Sequence, residues 1–269
     1  MLLSNEVSPQ IGEYRRTLSV IIDAYLRANT EEHLLELTGD LREMGYQHPL
    51  FLAKCTGGVS STSRTRPIHL LGSSPVAGIM GARAIANVYD LSHVVITDVG
   101  GTSFDAGLML SENEHLYDAD PIFDRWRVQV PVISHWSIGA GGGSIAHVEE
   151  NRLQVGPKSA RSNPGPACYA KGGTEPTVTD ADVALGYIDP DYFLGGRIKL
   201  DKTRAIEAIK IRIADPLGIS VEQAAWDIRR TIDGVMGQEL FMRIALHSGA
   251  DPRDFSIFAV GGAGPLHAA

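Results

Sequence analysis

A glycine-rich turn between two aspartates is the segment best suited to chemistry. It runs from Asp98 to Asp105, and between them lie two glycines and two hydroxyl residues: Gly100, Gly101, Thr102 and Ser103. Glycines let the backbone approach an anion closely, successive N–H groups bind phosphate oxygens, and hydroxyls add donors. A carboxylate before such a turn can hold Mg²⁺ or position a nucleophile. The pattern predicts a phosphate site with Asp98 and Asp105 as catalytic carboxylates and Asp98 as the Mg²⁺ ligand.

The residues alone leave a second interpretation of this turn open. The same spacing fits a β-hairpin with a Gly-Gly turn, in which the two aspartates only cap the ends. Spacing does not separate the two interpretations.

Two other glycine strips follow apolar segments. Gly261, Gly262 and Gly264 come after residues 257–260, a weaker signal because a Gly-Gly turn after a strand is common. The third strip is Gly141, Gly142, Gly143 and Ser144. It can cradle a substrate carboxylate or phosphate through its backbone, or serve as a flexible hinge.

These strips need strands to hold them, and the apolar pattern predicts where the strands lie. Short apolar runs, β-branched at 94–97, indicate strands near residues 51–54, 94–98, 104–110 and 256–260. Caps and helical spacing predict helices from Ser8-Pro9 to Tyr25, from Thr30 to Leu41, and over 76–88, 201–213 and 220–247. The fold class is α/β, and ligands are expected at the turns following Ile96 and Val260.

Residues 138–196 are dense in glycine and proline, and no helix of normal length fits before Thr179. We therefore expect a long, functional loop region there. Interleaved apolar residues such as Ile145 and Val155 favour this over a disordered linker.

Composition limits the function classes. The 269 residues are 43% hydrophobic and 21% charged, with 24 basic and 32 acidic side chains and a net charge of -8. The negative balance argues against a broad nucleic-acid surface. No apolar run is long enough for a membrane helix and the start does not match a signal peptide, so a cytoplasmic location is expected. Cys55 and Cys168 read as small apolar residues rather than reactive thiols.

Several strips together resemble the hydantoinase A/oxoprolinase family. Residues 98–105 resemble the second phosphate motif of the actin-like ATPase superfamily. The narrower match is carried by residues 138–145, 155–169, 172–181 and 260–267, with 4–9 resembling the entry to the family's central domain. The resemblance covers nearly the whole chain and implies a single ATP-binding domain over residues 1–269.

The resemblance implies an actin-like, ribonuclease H-like fold with a mixed sheet flanked by helices and a long Gly/Pro-rich insertion. It implies ATP and Mg²⁺ as cofactors, with Asp98, Gly100, Gly101 and Thr102 at the phosphates or Mg²⁺. Gly261, Gly262 and Gly264 would line the adenosine side, and the 141–144 strip would lie near the reacting groups. Family members phosphorylate a carbonyl or amide oxygen, so an acetone or acetophenone carboxylase-type complex is expected, with an ATP-dependent hydantoinase or 5-oxoprolinase component as the alternative.

The chain also departs from the family pattern. No further Asp-x-Gly-Gly-Thr motif precedes Asp98, and the sequence given ends soon after the last strip. We therefore expect partner subunits, or an excised domain, with the missing phosphate motif and C-terminal region supplied elsewhere. Phe104 and residues 161–163 differ from the family's usual residues, which leaves substrate details open. A non-catalytic assembly subunit that kept the fold is the alternative of another class; a simple sugar kinase is disfavoured.

Weaker candidates surround the strips. His135, His147 and His267 can serve as general bases, although a structural role fits each, and His267 is favoured because it lies inside a family strip. An acidic group of Glu175, Asp180 and Asp182 can bind a metal, with helix capping the alternative for Asp180. Lys158 and Arg161 can meet an anionic ligand or remain solvated loop charges.

Overall fold

The computed structural model describes residues 2–110, 117–123 and 125–268. Its contacts divide the chain into two compact units. One unit comprises Met1–Val94 with Gly107–His135, and the other comprises Val95–Ala106 with Trp136–Ala269. No helix within the described ranges is long and apolar enough to cross a membrane.

The chain combines helices with a mixed set of strands, which confirms the α/β class. The α-helices are α1 (Ser4–Val7), α2 (Glu13–Glu43), α3 (Ser73–Val88), α4 (Val178–Leu185), α5 (Lys202–Ile209), α6 (Asp215–Leu217) and α7 (Val221–Phe241). Wider π-turns continue α5 through Lys210–Ala214 and α7 through Met242–His247. Short 3₁₀ turns cover Thr62–Arg64, Pro67–Leu70, Ala167–Tyr169, Pro252–Asp254 and Gly264–His267.

The strands are short, and those of the second unit carry the predicted turns. They are β1 (Phe51–Ala53), β2 (Val59–Ser61), β3 (Val94–Val99), β4 (Phe104–Met109), β5 (Tyr117–Asp118), β6 (Ile122–Phe123), β7 (Trp126–Arg127), β8 (Val132–Ile133), β9 (Trp136–Ile138), β10 (Ser144–Glu149), β11 (Arg152–Ser159) and β12 (Ser256–Val260). The four strands predicted from apolar runs are therefore confirmed as β1, β3, β4 and β12.

A four-stranded sheet in the order β12-β3-β4-β9 holds the first two glycine strips. β4 and β9 are antiparallel, with Phe104 opposite Ile138 and Asp105 opposite Ser137. β3 is almost wholly buried, as its continuous β-branched run predicts. The sheet brings the ends of β3 and β12 side by side, which places their following turns together.

The first long helix differs from the sequence prediction. Two helices were expected, the second capped by Thr30, whereas α2 is one helix of 31 residues that begins only at Glu13. Arg27 pairs with Asp23 and with Glu31, one helical turn away on each side, and so bridges the expected break. The hydroxyl of Ser8, expected to start a helix, donates instead to the Gln129 carbonyl.

The Gly/Pro-rich segment is also more regular than expected. Residues 144–159 form an antiparallel hairpin of β10 and β11, where the sequence indicated loop. The hairpin turn is Glu150-Asn151, with φ of 47° and 61°, a tight-turn conformation that has no glycine to mark it. Gly156 and Pro157 within β11 obscured the alternation that would have predicted this strand.

The main core of the second unit lies between the sheet, the hairpin and the helices α4 and α7. Its buried side chains include Val99, Phe104, Ala146, Val178 and Ile228. The first unit has its own buried cluster, with Val7, Cys55, Ile68, Val130 and Val132.

Candidate functional site

The turn between β3 and β4 is a closed Gly-Gly turn, which fits both the phosphate-site and the hairpin interpretation of the sequence. The Gly100 N–H donates to the Ser103 carbonyl at 3.1 Å and closes the turn. The Ser103 hydroxyl donates to Asp105 at 2.8 Å. Burial raises the pKa of the Asp98 carboxyl, and the nearby charge of Asp105 raises it further. The two carboxylates therefore lie close enough to influence each other, as their bracketing positions suggested.

The second turn lies directly against Asp98. Gly261 has a φ of 85°, and a Cβ at this position would stand 2.3 Å from Asp98 Oδ1 and 2.6 Å from the Val99 carbonyl oxygen. The Ala263 N–H donates to that same carbonyl at 2.9 Å. The turns after Ile96 and Val260 are therefore in contact, and the expected ligand at these turns stays a prediction.

At some positions of these two turns, neither steric crowding nor backbone conformation requires glycine. A Cβ on Gly100, Gly101 or Gly262 would meet nothing within 4 Å, and none of the three has a positive φ that disfavours other residues. The N–H groups of Gly101, Thr102 and Gly262 find no acceptor in the part of the chain that the structure describes. These three residues are exposed. The turns therefore present uncommitted donors and open space beside Asp98.

The third strip packs on the first turn instead of facing outwards. The Gly142 N–H donates to the Gly100 carbonyl at 3.0 Å and the Gly143 N–H to the Gly101 carbonyl at 2.7 Å. A Cβ on Gly141 would lie 2.6 Å from the Gly100 oxygen. Close backbone packing therefore explains why these positions are glycine.

The strip has no backbone donor left for an anion. Gly141 N–H bonds the Ser144 hydroxyl at 3.0 Å, and Ser144 N–H bonds the Gly141 carbonyl at 3.0 Å. This corrects the expected phosphate cradle, since all four N–H groups of residues 141–144 are occupied. The hinge alternative fits no better, because Thr179 on α4 binds the Gly142 carbonyl through both its N–H and its hydroxyl.

His267 lies in a buried network at the far side of the second turn. Its Nδ1 is 2.6 Å from Asp233, and its side chain is 3% exposed. Its Nε2 is buried and has no hydrogen-bond partner among the described residues. An imidazole oriented by a carboxylate suits a general base, yet its burial keeps solvent protons away, so the catalytic role of His267 stays a prediction.

The weaker candidates take structural or solvated positions. Asp180 accepts from the N–H groups of Ala167, Cys168 and Thr177, and with Thr177 forms the capping box of α4. Asp180 therefore does cap α4, but from the third helical position of the capping box, while Thr177 takes the N-cap position expected for Asp180. Within the described ranges, no group of three His, Cys, Asp or Glu side chains is placed to hold a metal.

The charged loop residues and the other histidines each have their own contacts. Lys158 and Glu175 are exposed and 3.9 Å apart, a solvated pair. Arg161 is exposed, with its N–H bonded to the Ser159 hydroxyl beside the first turn. His147 is exposed on β10, and His135, in the first unit, places Nδ1 2.9 Å from the Ile133 carbonyl.

Sequence reasoning missed Arg229 and Asp233 on α7. Arg229 binds Asp182 at 2.7 Å, and Asp233 binds His267. A signal was present, because Arg229 follows Ile228 on the apolar face of the helix and an aspartate stands four residues later. A charged residue on a buried face usually has a partner.

Fold and turns together define an α/β protein with an open, donor-lined site beside a carboxylate. The chain belongs to the hydantoinase/oxoprolinase family, whose sequence profile matches residues 16–269. The resemblance drawn from the glycine strips is thereby confirmed.

Relatives within the family include subunits of larger enzymes. The chain is 43% identical over 271 residues to the acetophenone carboxylase gamma subunit of Aromatoleum aromaticum, covering 100% of this chain and 37% of that protein. It is 41% identical over 266 residues to caprolactamase subunit alpha of Pseudomonas jessenii, covering 98% and 38%. A solved nucleotide-free acetone carboxylase structure matches with a TM-score of 0.88 and 32% identity, covering 98% of this chain and 37% of that one. The chain thus spans 37–38% of the length of these proteins.

Proposed function

We propose that this chain binds ATP with Mg²⁺ at the turns 100–103 and 261–264. It would supply the nucleotide site of an enzyme complex that phosphorylates the carbonyl oxygen of a ketone or cyclic amide. The observation that carries the proposal is the set of open glycines and uncommitted N–H groups beside Asp98. Phosphate oxygens suit both features, because they accept from successive N–H groups and need a backbone that can be approached closely.

Each turn has its own part in this proposal. The N–H groups of Gly101 and Thr102, with the Thr102 hydroxyl, would bind phosphate oxygens. Gly262 would leave room for the adenosine side, while Gly261 permits the second turn to approach Asp98. The 141–144 strip would hold the first turn in place from beneath. Transfer of the γ-phosphoryl group to the carbonyl oxygen releases ADP, and such transfer depends mainly on positioning and charge stabilisation.

The donor set beside the turn fits Mg²⁺. This ion keeps several waters and takes one or two carboxylates together with substrate phosphates, so a full protein cage is not needed. Asp98 and Asp105 are the carboxylates available. Burial raises the pKa of Asp98, and the charge of Asp105 raises it further; a cation would favour the charged form of both carboxylates. When bound, Mg²⁺ would neutralise charge on the phosphates.

The relatives with the highest identity given above support a complex. The names of two relatives describe subunits, one of acetophenone carboxylase and one of caprolactamase. We propose a carboxylase-type complex, with an ATP-dependent cyclic amide hydrolase as the alternative. The actin-like fold, the cytoplasmic location and the partner subunits that complete the site belong to the same proposal.

The proposal is tested by titrating Mg·ATP calorimetrically into the protein as it purifies with its subunits. Asp98→Asn is the test variant, and Glu149→Gln, an exposed carboxylate on β10, is its matched control. We expect saturable binding that Asp98→Asn weakens and Glu149→Gln leaves unchanged. Phosphate release is then measured with acetophenone or acetone plus bicarbonate, and with caprolactam or 5-oxoproline. Absence of nucleotide binding in the intact complex would overturn the proposal in favour of a non-catalytic assembly subunit.

A further inference from the structure

Arg229 joins three parts of the second unit at one buried point. It lies on α7 and is 7% exposed. One guanidinium nitrogen donates to Asp182 on α4 at 2.7 Å, and another donates to the Leu266 carbonyl, just beyond the second glycine turn. The guanidinium also covers the ring of Tyr187 at 4.5 Å.

A second tether from α7 reaches the same segment. Asp233, one helical turn after Arg229, bonds His267 at 2.6 Å and stands 3.6 Å from the Arg229 Nε. Leu266 and His267 are therefore both held by a single face of α7. The Leu266 N–H bonds the Ala263 carbonyl, so the tether continues into the glycine turn itself.

Asp182, another partner of Arg229, lies on a helix that is linked to the first turn. Asp182 lies on α4, three residues after Thr179. Thr179 binds the Gly142 carbonyl, and the Gly142 N–H binds the Gly100 carbonyl. The helix α4 thus supports the first turn through Thr179 and meets the second turn through Asp182 and Arg229.

Burial of these charges is not explained by stability alone. Well-packed apolar side chains are often as stabilising as a buried ion pair, because desolvation offsets the attraction. Arginine has a planar fork that can bind a carboxylate and a carbonyl in fixed directions, which a lysine ammonium cannot reproduce. Such directed bonds would fix the orientation of the second turn, and a turn that binds a ligand through its N–H groups depends on that orientation.

We propose that Arg229 is a positioning residue that sets the second glycine turn against the first for nucleotide binding. This inference rests on the proposed function. Arg229 acts through Leu266 and Asp182 and does not touch the nucleotide. Its loss would let residues 261–266 move, so the turn would lose its approach to Asp98.

The test compares Arg229→Met and Arg229→Lys with Arg230→Met, a control at the adjacent exposed arginine. The dissociation constant for Mg·ATP, and KM and kcat for ATP, are measured on the protein as it purifies with its subunits. We expect Arg229→Met to weaken Mg·ATP binding and to lower kcat by up to about 100-fold, since a misplacement near 1 Å can cost about that factor in rate. Arg229→Lys should recover part of the affinity, and Arg230→Met should behave as wild type. A folded Arg229→Met protein with wild-type affinity would overturn the proposal.

Hydrogen exchange separates this inference from the proposed function. The Ala263 and Leu266 amides should exchange faster in Arg229→Lys, which keeps the charge and serves as the variant if Arg229→Met does not fold. Unchanged exchange at both amides would overturn the positioning role whether or not ATP binds. If wild type binds no nucleotide but exchange rises, the proposed function fails while the tether itself stands.

Discussion

The Gly142 N–H donates to the Gly100 carbonyl at 3.0 Å, so the 141–144 strip packs beneath the turn at 100–103. The contact places two glycine strips back to back. One has every N–H occupied by the protein, and the other keeps donors and space on its open face. At 141–143 a Cβ would clash with the protein's own atoms, whereas at Gly100 and Gly101 it would meet nothing within 4 Å. The two groups should therefore respond differently to substitution.

Alanine substitutions should separate the two kinds of glycine. Gly141→Ala places a Cβ 2.6 Å from the Gly100 oxygen, and Gly143→Ala places one 2.6 Å from the Gly101 oxygen. Overpacking against backbone should lower the free energy of unfolding by about 1–3 kcal/mol. Urea unfolding of each variant gives this value.

Gly100→Ala and Gly101→Ala are the matched comparison. Their Cβ atoms meet nothing, so the free energy of unfolding should stay the same or rise by about 0.4–1 kcal/mol. The affinity for Mg·ATP should nevertheless fall, because the methyl groups occupy the proposed phosphate space. A stable Gly101→Ala protein with unchanged nucleotide affinity would contradict the site.

Asp98→Asn should stabilise the nucleotide-free protein while weakening nucleotide binding. The pKa of the Asp98 carboxyl is raised, mainly by burial, so the fold favours its neutral form. Ionisation at neutral pH therefore opposes folding, and an amide removes that cost. We expect a small rise in melting temperature and a loss of Mg·ATP affinity of at least about tenfold. Melting scans and calorimetry on the same preparation check both.

The pH dependence follows from the same pKa. As the pH falls through the raised pKa of Asp98, the nucleotide-free fold gains stability from this group while its affinity for the cation falls. Wild-type affinity should begin to decrease at a pH above the ordinary carboxyl range. The Asp98→Asn variant should lack this component, although both proteins share the titration of ATP itself. Parallel pH profiles for the two proteins would argue against a role for the Asp98 carboxylate.

Asp180→Asn should be strongly destabilising. The carboxylate is buried and accepts from three backbone N–H groups and from the Thr177 hydroxyl at 2.8 Å. An amide would turn one acceptor into a donor that faces other donors, at a cost of at least about 3 kcal/mol. Asp189→Asn is the control, since that carboxylate is exposed and accepts one turn N–H. Chemical denaturation of both variants measures the difference.

Neither cysteine should react in the native protein. Burial raises the pKa of Cys55 to about 11, and burial with the charge of Asp180 raises the pKa of Cys168 still further. Both side chains are 0% exposed, so thiolate is scarce and access is blocked. Iodoacetamide at pH 8 should label neither thiol in buffer and both in concentrated urea. Native labelling at either site would show that the surrounding segment opens.

The residues by themselves determined the features that depend on short-range order. Apolar β-branched runs predicted β3 and β12, glycines and carboxylates predicted the turn at 98–105, and the combined strips predicted the family. These features succeed because a strand, a turn or a cap depends on neighbours within a few residues. Even here the expected break before Thr30 was wrong, since the ion pairs of Arg27 carry the helix through it.

Tertiary structure alone decided which glycines pack against other segments and which remain exposed. It placed Gly261 against Asp98, turned the 141–144 strip into the support of Gly100, and enclosed Arg229 between two helices and a turn. The sequence does not distinguish one glycine from another. Packing decides whether the space left by the missing Cβ is filled by the protein's own backbone or stays open. That decision rests on contacts between segments far apart in the chain, which local spacing does not encode.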